Sequence, residues 1–167
     1  MANCCLTTKV FLICTESDMN KIYIDADACP VKEEVYKVAI RNKIEVIVVC
    51  NGGIRPHQHP LINIVTVNQG LDVADDWIAA NVITKDLVVT DDIPLAARCV
   101  KKGANVIKFD GKILDSSNIG AVLATRNLLT EIRGANPFFK GKGKEFSNRD
   151  RSKFLNALDS ELSKSFL

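Results

Sequence analysis

The sequence predicts an α/β fold with a mainly parallel sheet of about five strands, covered by helices on both faces. Short runs of apolar, β-branched residues alternate with longer segments of helical period. Strands buried on both faces have such continuous apolar runs, and helices usually connect parallel strands. The strands are predicted at 21–26, 44–50, 62–67, 87–90 and 105–109. The helices are predicted at 30–42, 72–82, 94–102, 119–133 and 151–165.

Three residues mark expected helix ends. Pro30 and Pro94 are predicted at helix starts, where the missing N–H of proline has no partner to lose. Gly103 is expected to end the third helix. The segment 51–60 is rich in turn formers and has no helical period, so it is predicted to be an exposed loop.

The chain has 167 residues, which is the length of one ordinary domain. No apolar run approaches the ~18 residues that a membrane helix requires, so the protein is expected to be soluble and cytoplasmic. A single domain is predicted over 19–167. Residues 1–18 are expected to be an N-terminal extension outside the fold, with a short edge strand as the alternative. Their apolar stretch is too short for a secretory signal.

Six scattered cysteines form no pair or Cys/His cluster with zinc spacing. They are predicted to be buried free thiols: Cys4, Cys5, Cys14, Cys29, Cys50 and Cys99. Cys29 also stands before a predicted helix, whose N-terminus could lower its pKa. A catalytic cysteine is a weak alternative, since candidate bases are distant in sequence.

Pairs of aspartates follow two of the predicted strands. Asp25 and Asp27 end the first strand in IYIDADACP and would share one side if the strand continued that far. Asp91 and Asp92 follow the fourth strand in LVVTDDIPLA and must point in different directions. Asp91 is expected to face the site, while the other caps the following helix.

Three more aspartates open the second helix in GLDVADDWIA. Asp72 and Asp75 have the spacing of an N-cap and its partner, so helix capping is the structural alternative. Asp76 lies one turn beyond Asp72 and could also approach the site.

The predicted topology gathers these acids at one edge of the sheet. Ligands of open α/β sheets bind beyond the carboxyl ends of the strands, where the winding reverses. If the first strand is central, Asp25 and Asp91 become neighbours there. Crowded carboxylates need a cation, and oxygen ligands suit Mg²⁺ or Mn²⁺. The predicted metal ligands are Asp25, Asp27, Asp75, Asp76, Asp91 and Asp92, and the predicted catalytic residues are Asp25, Asp27, Asp75 and Asp91.

Basic residues lie in two predicted loops. Arg55, His57 and His59 follow the second strand, and in the segment 133–153 seven basic residues face two acidic ones. Such side chains bind phosphate, although a solvated loop is the simpler explanation. The predicted substrate-binding residues are Arg55, His57, Lys142, Lys144, Arg149 and Arg151. Phe138, Phe139 and Phe146 could stack on bases or anchor the loop.

The motifs IYIDADACP, GLDVADDWIA, LVVTDDIPLAARCVKKGA and SNRDRSKFLNAL resemble the bacterial YaiI/YqxD family, which is similar to PIN-domain nucleases. The resemblance spans about residues 21–162. It implies a three-layer α/β/α PIN-like fold and a metal-dependent nuclease activity, with RNA as the expected partner.

The PIN pattern implies a role for each of the aspartates that it matches. Asp25 corresponds to the acid that ends the first strand, Asp75 or Asp76 to the helical acid, and Asp91 with Asp92 to the acids after the fourth strand. PIN nucleases usually carry another acid after the second strand, whereas no Asp or Glu lies between Glu45 and Asp72. The sequence therefore does not decide whether the site would hold one metal ion or two.

Two other functions are compatible with the sequence. DADAC is similar to the first motif of haloacid dehalogenase-like phosphatases, in which Asp25 would be the nucleophile and Asp27 the general acid. Cys29 departs from that motif, and no lysine is suitably placed. The other alternative is a non-catalytic nucleic-acid-binding or partner-binding module. The sequence leaves the oligomeric state open.

Overall fold

A computed structural model describes residues 21–27, 29–68, 70, 72–135 and 146–165. The strands are β1 (Ile22–Asp25), β2 (Val46–Cys50), β3 (Ile62–Thr66), β4 (Leu87–Val89), β5 (Asn105–Ile107) and β6 (Ile113–Leu114). The helices are α1 (Lys32–Asn42), α2 (Val73–Asn81), α3 (Ile93–Lys101), α4 (Ile119–Ala135) and α5 (Asn148–Ser165). The α/β class and all ten predicted elements are confirmed. The proposed extension at 1–18 lies outside the described residues.

The six strands form one sheet in the order β3-β2-β1-β4-β5-β6. β1 is central and pairs in parallel with β2 on one side and β4 on the other. The winding therefore reverses between β1 and β4, which meets the condition stated above for the aspartates to lie at one edge of the sheet. β6 was not predicted. It has only two residues and pairs antiparallel with β5, too short a run to show a strand pattern.

Helices cover both faces of the sheet and give the expected three layers. Ile22 and Ile24 of β1 pack in a core with residues of α1 and α5, whereas Tyr23 packs in a second core with residues of α2 and α3. Alternate strand residues point to opposite faces. Asp25, two residues after Tyr23, is therefore on the side of α2 and α3.

Most helix ends follow the local sequence signals. Pro94 lies in the first turn of α3, and Gly103 follows its C-cap with φ +84°, as expected. The prediction for Pro30 was wrong by two residues, because α1 begins at Lys32 after the N-cap Val31. α5 begins three residues earlier than predicted. The Ser147 hydroxyl accepts from the Asp150 N–H, and the Asp150 carboxylate accepts from the Ser147 N–H, which is a capping box.

Three cysteines lie among the described residues, and all are buried free thiols, as predicted: Cys29, Cys50 and Cys99. The expectation of a lowered pKa for Cys29 was wrong. Burial raises the pKa of its thiol to about 12, so it is protonated at neutral pH. No helix in the described part of the chain is long and apolar enough to span a membrane.

The backbone of the β5–β6 turn lies in close contact with the backbone of α5. Gly111 has φ +82°, and a Cβ built on it would lie 2.7 Å from the backbone carbonyl carbon of Lys153. We expect Gly111→Ala to lower the free energy of unfolding by about 2 kcal/mol or more, from the clash and the strained φ. Urea unfolding measures this.

Gly120→Ala is the matched control. Gly120 lies in the first turn of α4, and a Cβ there meets nothing within 4 Å. This substitution should be neutral or stabilising by up to about 1 kcal/mol. Equal effects of the two substitutions would contradict the proposed close approach of the turn to α5.

Candidate acidic site at the carboxyl edge of the sheet

Thr90 joins the ends of the two central strands. It is fully buried, and its hydroxyl donates to the Asp25 carboxylate at 3.1 Å. The same hydroxyl oxygen accepts from the Asp92 N–H at 3.0 Å. Thr90 thus connects the end of β1 to the start of α3. Sequence reasoning did not single it out, although it is the last residue of the apolar run before the two aspartates.

Asp25 is a half-buried carboxyl group in an acidic environment. Burial raises its pKa, and the negative charges of Asp27 and Asp92 raise it further. The Thr90 hydroxyl and the Asp27 N–H lower the pKa by hydrogen bonding to the carboxylate, but the net shift is upward. Within the described part of the chain, no cation is among the main groups that act on the Asp25 carboxylate.

Asp75 reaches the same region from the first turn of α2. Burial, followed by the charges of Asp25 and Asp92, raises its pKa to about 6. Arg98 lowers it only in part. Asp25, Asp75 and Asp92 therefore form one interacting set, which we call the acidic site.

The capping role predicted for Asp92 is confirmed, whereas the Asp91 carboxylate lies beside Lys108. Asp91 is half exposed, lies 3.6 Å from the Lys108 ammonium and accepts from the Phe109 N–H at 3.2 Å. Asp92 caps α3 by accepting from the Leu95 N–H at 2.8 Å, and its charge also raises the pKa of Asp25 and Asp75. The capping residue thus also faces the acidic site. Asp91 lies two residues after the end of β4 and contacts residues that follow β5.

The other acidic candidates surround this set. β1 ends at Asp25, so Asp27 lies in a turn, where its carboxylate accepts from the Asn51 N–H at 3.2 Å. Asp72 is at the N-cap position of α2, with φ 59°, but makes no side-chain capping bond, so the capping alternative fails there. Asp76 is exposed and forms an ion pair with Arg98 at 2.8 Å.

A pocket of about 390 Å³ lies between the starts of α2 and α3. Four carboxylates and two guanidinium groups line it, together with Pro94 and Leu95: Asp72, Asp75, Asp76, Asp92, Arg98 and Arg126. Sequence reasoning missed Arg98 and Arg126, because each lies within an ordinary helical pattern. Only the packing of α4 beside α3 brings Arg126 to this pocket.

The chemistry of the acidic site suits a divalent cation. Its donors are carboxylate and hydroxyl oxygens, which Mg²⁺ and Mn²⁺ prefer. Burial, followed by the charges of neighbouring aspartates, raises the pKa of Asp25 and Asp75, and a nearby cation would favour their ionised forms. However, no three His, Cys, Asp or Glu side chains in the described ranges converge closely enough to hold an ion. The donor atoms are therefore of the type that a divalent cation prefers, but in the described ranges they do not form a ligand cluster.

The predicted substrate-binding residues that the structure describes lie in the loop after β2 and in the first turn of α5. Arg55 is exposed in the loop after β2, and the ring of His57 lies 5.1 Å from that of Tyr36 on α1. Arg149 is exposed at the start of α5, whereas Arg151 pairs with Glu34 of α1 at 3.0 Å. Lys142, Lys144, Phe138 and Phe139 lie outside the described residues, as does Lys140.

Phe146 packs against the core of α1 and α5 and lies under the Arg151 guanidinium, 5.7 Å from its ring centre. Its ring therefore packs on the core at the start of the described segment 146–165.

Comparison with known proteins identifies the family. Residues 23–164 match the model described as "Uncharacterized BCR, YaiI/YqxD family". The chain belongs to the YaiI/YqxD family. A UPF0178 protein of Roseobacter denitrificans is 53% identical over 146 residues, which cover 87% of this chain and 97% of that protein. A UPF0178 protein of Rhodopseudomonas palustris is 53% identical over 144 residues, covering 86% and 90% of the two chains. The search of solved structures found no significant match.

The raised pKa of Asp75 predicts a pH-dependent cost to stability. Its pKa is about 6 in the folded protein against an ordinary 3.8, so the folded state holds this proton more tightly than the unfolded state. Stability should therefore fall as the pH rises from about 4 to about 6. We expect Asp75→Asn to be more stable than the parent at pH about 7.5, by about 1 kcal/mol after allowing for solvent screening.

Urea unfolding at several pH values measures this difference, which should disappear as the pH falls toward 4. Asp76→Asn is the control, because the neighbouring Asp76 is exposed and paired with Arg98. A stability gain for Asp75→Asn that does not change with pH would rule out the proposed titration.

Proposed function

We propose that this protein is a metal-dependent nuclease that hydrolyses phosphodiester bonds in RNA. The supporting observation is the acidic site at the point where the sheet reverses its winding: Asp92 raises the pKa of Asp25 and of Asp75, and Asp25 also raises that of Asp75. The position is where open α/β sheets bind ligands. The oxygen-only donor set suits Mg²⁺ or Mn²⁺.

The three aspartates would hold the metal. When bound, the ion would supply an activated water and a counter-charge for a phosphate oxygen. Thr90 positions the Asp25 carboxylate through its hydroxyl and, through the Asp92 N–H, holds the start of α3. Arg98 and Arg126 border the pocket and would orient a phosphate group, since guanidinium groups bind phosphate in a paired geometry.

Water is the expected nucleophile. Cys29 is the nearest thiol to the acidic site in sequence, and with a pKa of about 12 it is not a thiolate at neutral pH. Attack by the Asp25 carboxylate would correspond to the phosphatase alternative and would leave a phosphorylated enzyme. The two reactions therefore differ in whether phosphate becomes attached to the protein.

Substitution of single aspartates tests the metal site, because Asp91 and Asp92 are neighbours in sequence but have different contacts. We expect Asp25→Asn and Asp92→Asn to weaken Mn²⁺ binding and to reduce RNA cleavage by at least about 100-fold, because a bound metal contributes several kcal/mol to hydrolysis. Asparagine also caps helices well, so Asp92→Asn should retain α3. Asp91→Asn should have a smaller effect, since Asp91 pairs with Lys108. Calorimetry with Mn²⁺ and cleavage of end-labelled single-stranded RNA measure these effects.

Asp159→Asn is the matched control, because Asp159 lies on α5 and pairs with Arg41 on the other face of the sheet. Cleavage that survives both Asp25→Asn and Asp92→Asn would contradict the proposal. Release of phosphate from a monoester, with a phosphate mass added to Asp25, would instead support the phosphatase. Mn²⁺ binding without turnover on either substrate would favour the binding module.

A further inference from the structure

A second and larger groove lies beside the acidic site. It has a volume of about 600 Å³ and is bordered by the start of α3, the β5–β6 turn and α4. Ile93, Ala121, Val122 and Leu129 supply its apolar part. Its charged residues are all basic: Lys108, Lys112, Arg126 and Arg133. Thr125 and Thr130 complete the lining. We call it the basic groove.

The charge of this groove is opposite to that of the acidic site. No carboxylate belongs to the described lining, although Asp91 lies 3.6 Å from the Lys108 ammonium and the Asp110 carboxylate accepts from the Lys112 N–H at 3.0 Å. Lys and Arg are the side chains that most often contact nucleic-acid phosphates. The groove is therefore complementary to a polyanion.

The two surfaces are continuous. Arg126 lines both the basic groove and the acidic pocket, which also share the start of α3 through Ile93 and Pro94. A chain lying in the basic groove would thus pass Arg126 before it reaches the aspartates. A separate small-anion site would not need this continuity.

The basic residues of α4 are distributed along the groove. Arg126 and Arg133 are seven residues apart, two helical turns or about 10 Å along the axis. This separation of the two backbone positions therefore suits contacts with successive phosphates of a strand better than contacts with one phosphate ion. None of the described residues that line the groove is aromatic, so base stacking on rings is not available there.

We propose that the basic groove binds the phosphodiester backbone of single-stranded nucleic acid, with little sequence preference, and leads the strand to the acidic site. The delivery step depends on the proposed nuclease function, whereas binding in the groove does not. The relevant residues differ from the basic positions that the sequence suggested, which lie in the loop after β2 and in the segment around the start of α5.

The test is binding of a fluorescent single strand of roughly a dozen nucleotides, measured by anisotropy with a chelator present so that no cleavage occurs. The variant is Lys112→Gln with Arg133→Gln, because both residues line the basic groove but not the acidic pocket. We expect about a tenfold loss of affinity at low salt. The slope of log affinity against log salt should decrease by about 1.4, since each phosphate contact on a single strand contributes about 0.7.

The matched control removes the same charge from the other face of the sheet, with Lys37→Gln and Lys43→Gln at α1. Both groove residues are exposed, so the fold should persist, and Arg133→Gln alone should give about half the change in slope. An unchanged slope, equal losses in the groove and control variants, or a mononucleotide that binds as tightly as the strand would overturn the proposal.

Cleavage assays separate this inference from the proposed function. Salt-dependent binding that is lost in the groove variant but never followed by cleavage supports the basic groove and contradicts the nuclease. The opposite result is RNA cleavage by the parent protein together with the same slope of log affinity against log salt in the parent and the groove variant. That result supports the nuclease and contradicts binding of the strand in the basic groove.

Discussion

The parallel pairing of β1 with β4 is the constraint on which the rest of the molecule depends. It sets Ile24 opposite Val89, so the two strands end side by side. Thr90 then donates to Asp25, a residue 65 positions away in the chain. Without this pairing, the aspartates would be separate surface residues with ordinary charges. With it, the start of α3 and the end of β1 share one half-buried polar site.

The acidic site is costly for the folded state. Burial and repulsion from neighbouring carboxylates raise the pKa of both Asp25 and Asp75, so their ionised forms are disfavoured. Two helix starts offset part of this cost. Asp75 lies in the first turn of α2, and Asp92 caps α3, where the free N–H groups and the helix dipole favour negative charge. Such an unfavourable local arrangement is expected at a functional site, because proteins depart from local stability rules mainly where function requires it.

Helix α4 contributes basic residues to the basic groove and, through Arg126, also borders the acidic pocket. It has no fully buried residue, and its second half exposes Leu128, Leu129 and Ile132. Ile119 and Val122 attach its first half to the core of α2 and α3. The position of α4 follows from the short β5–β6 hairpin, which turns the chain back immediately before it. The basic groove therefore depends on an element of only two residues.

The sequence alone determined the order of strands and helices along the chain, the family, and the presence of aspartates at the carboxyl edge of the sheet. These features follow from local patterns: apolar strands, helical periods and acids placed directly after strands. The packing of separate elements decided the rest. Asp92 rather than Asp91 acts on Asp25 and Asp75, because capping turns its side chain toward them while Lys108 holds Asp91. Arg98, Arg126 and Lys112 have no local signature, since side chains far apart in sequence form a pocket only after the helices pack.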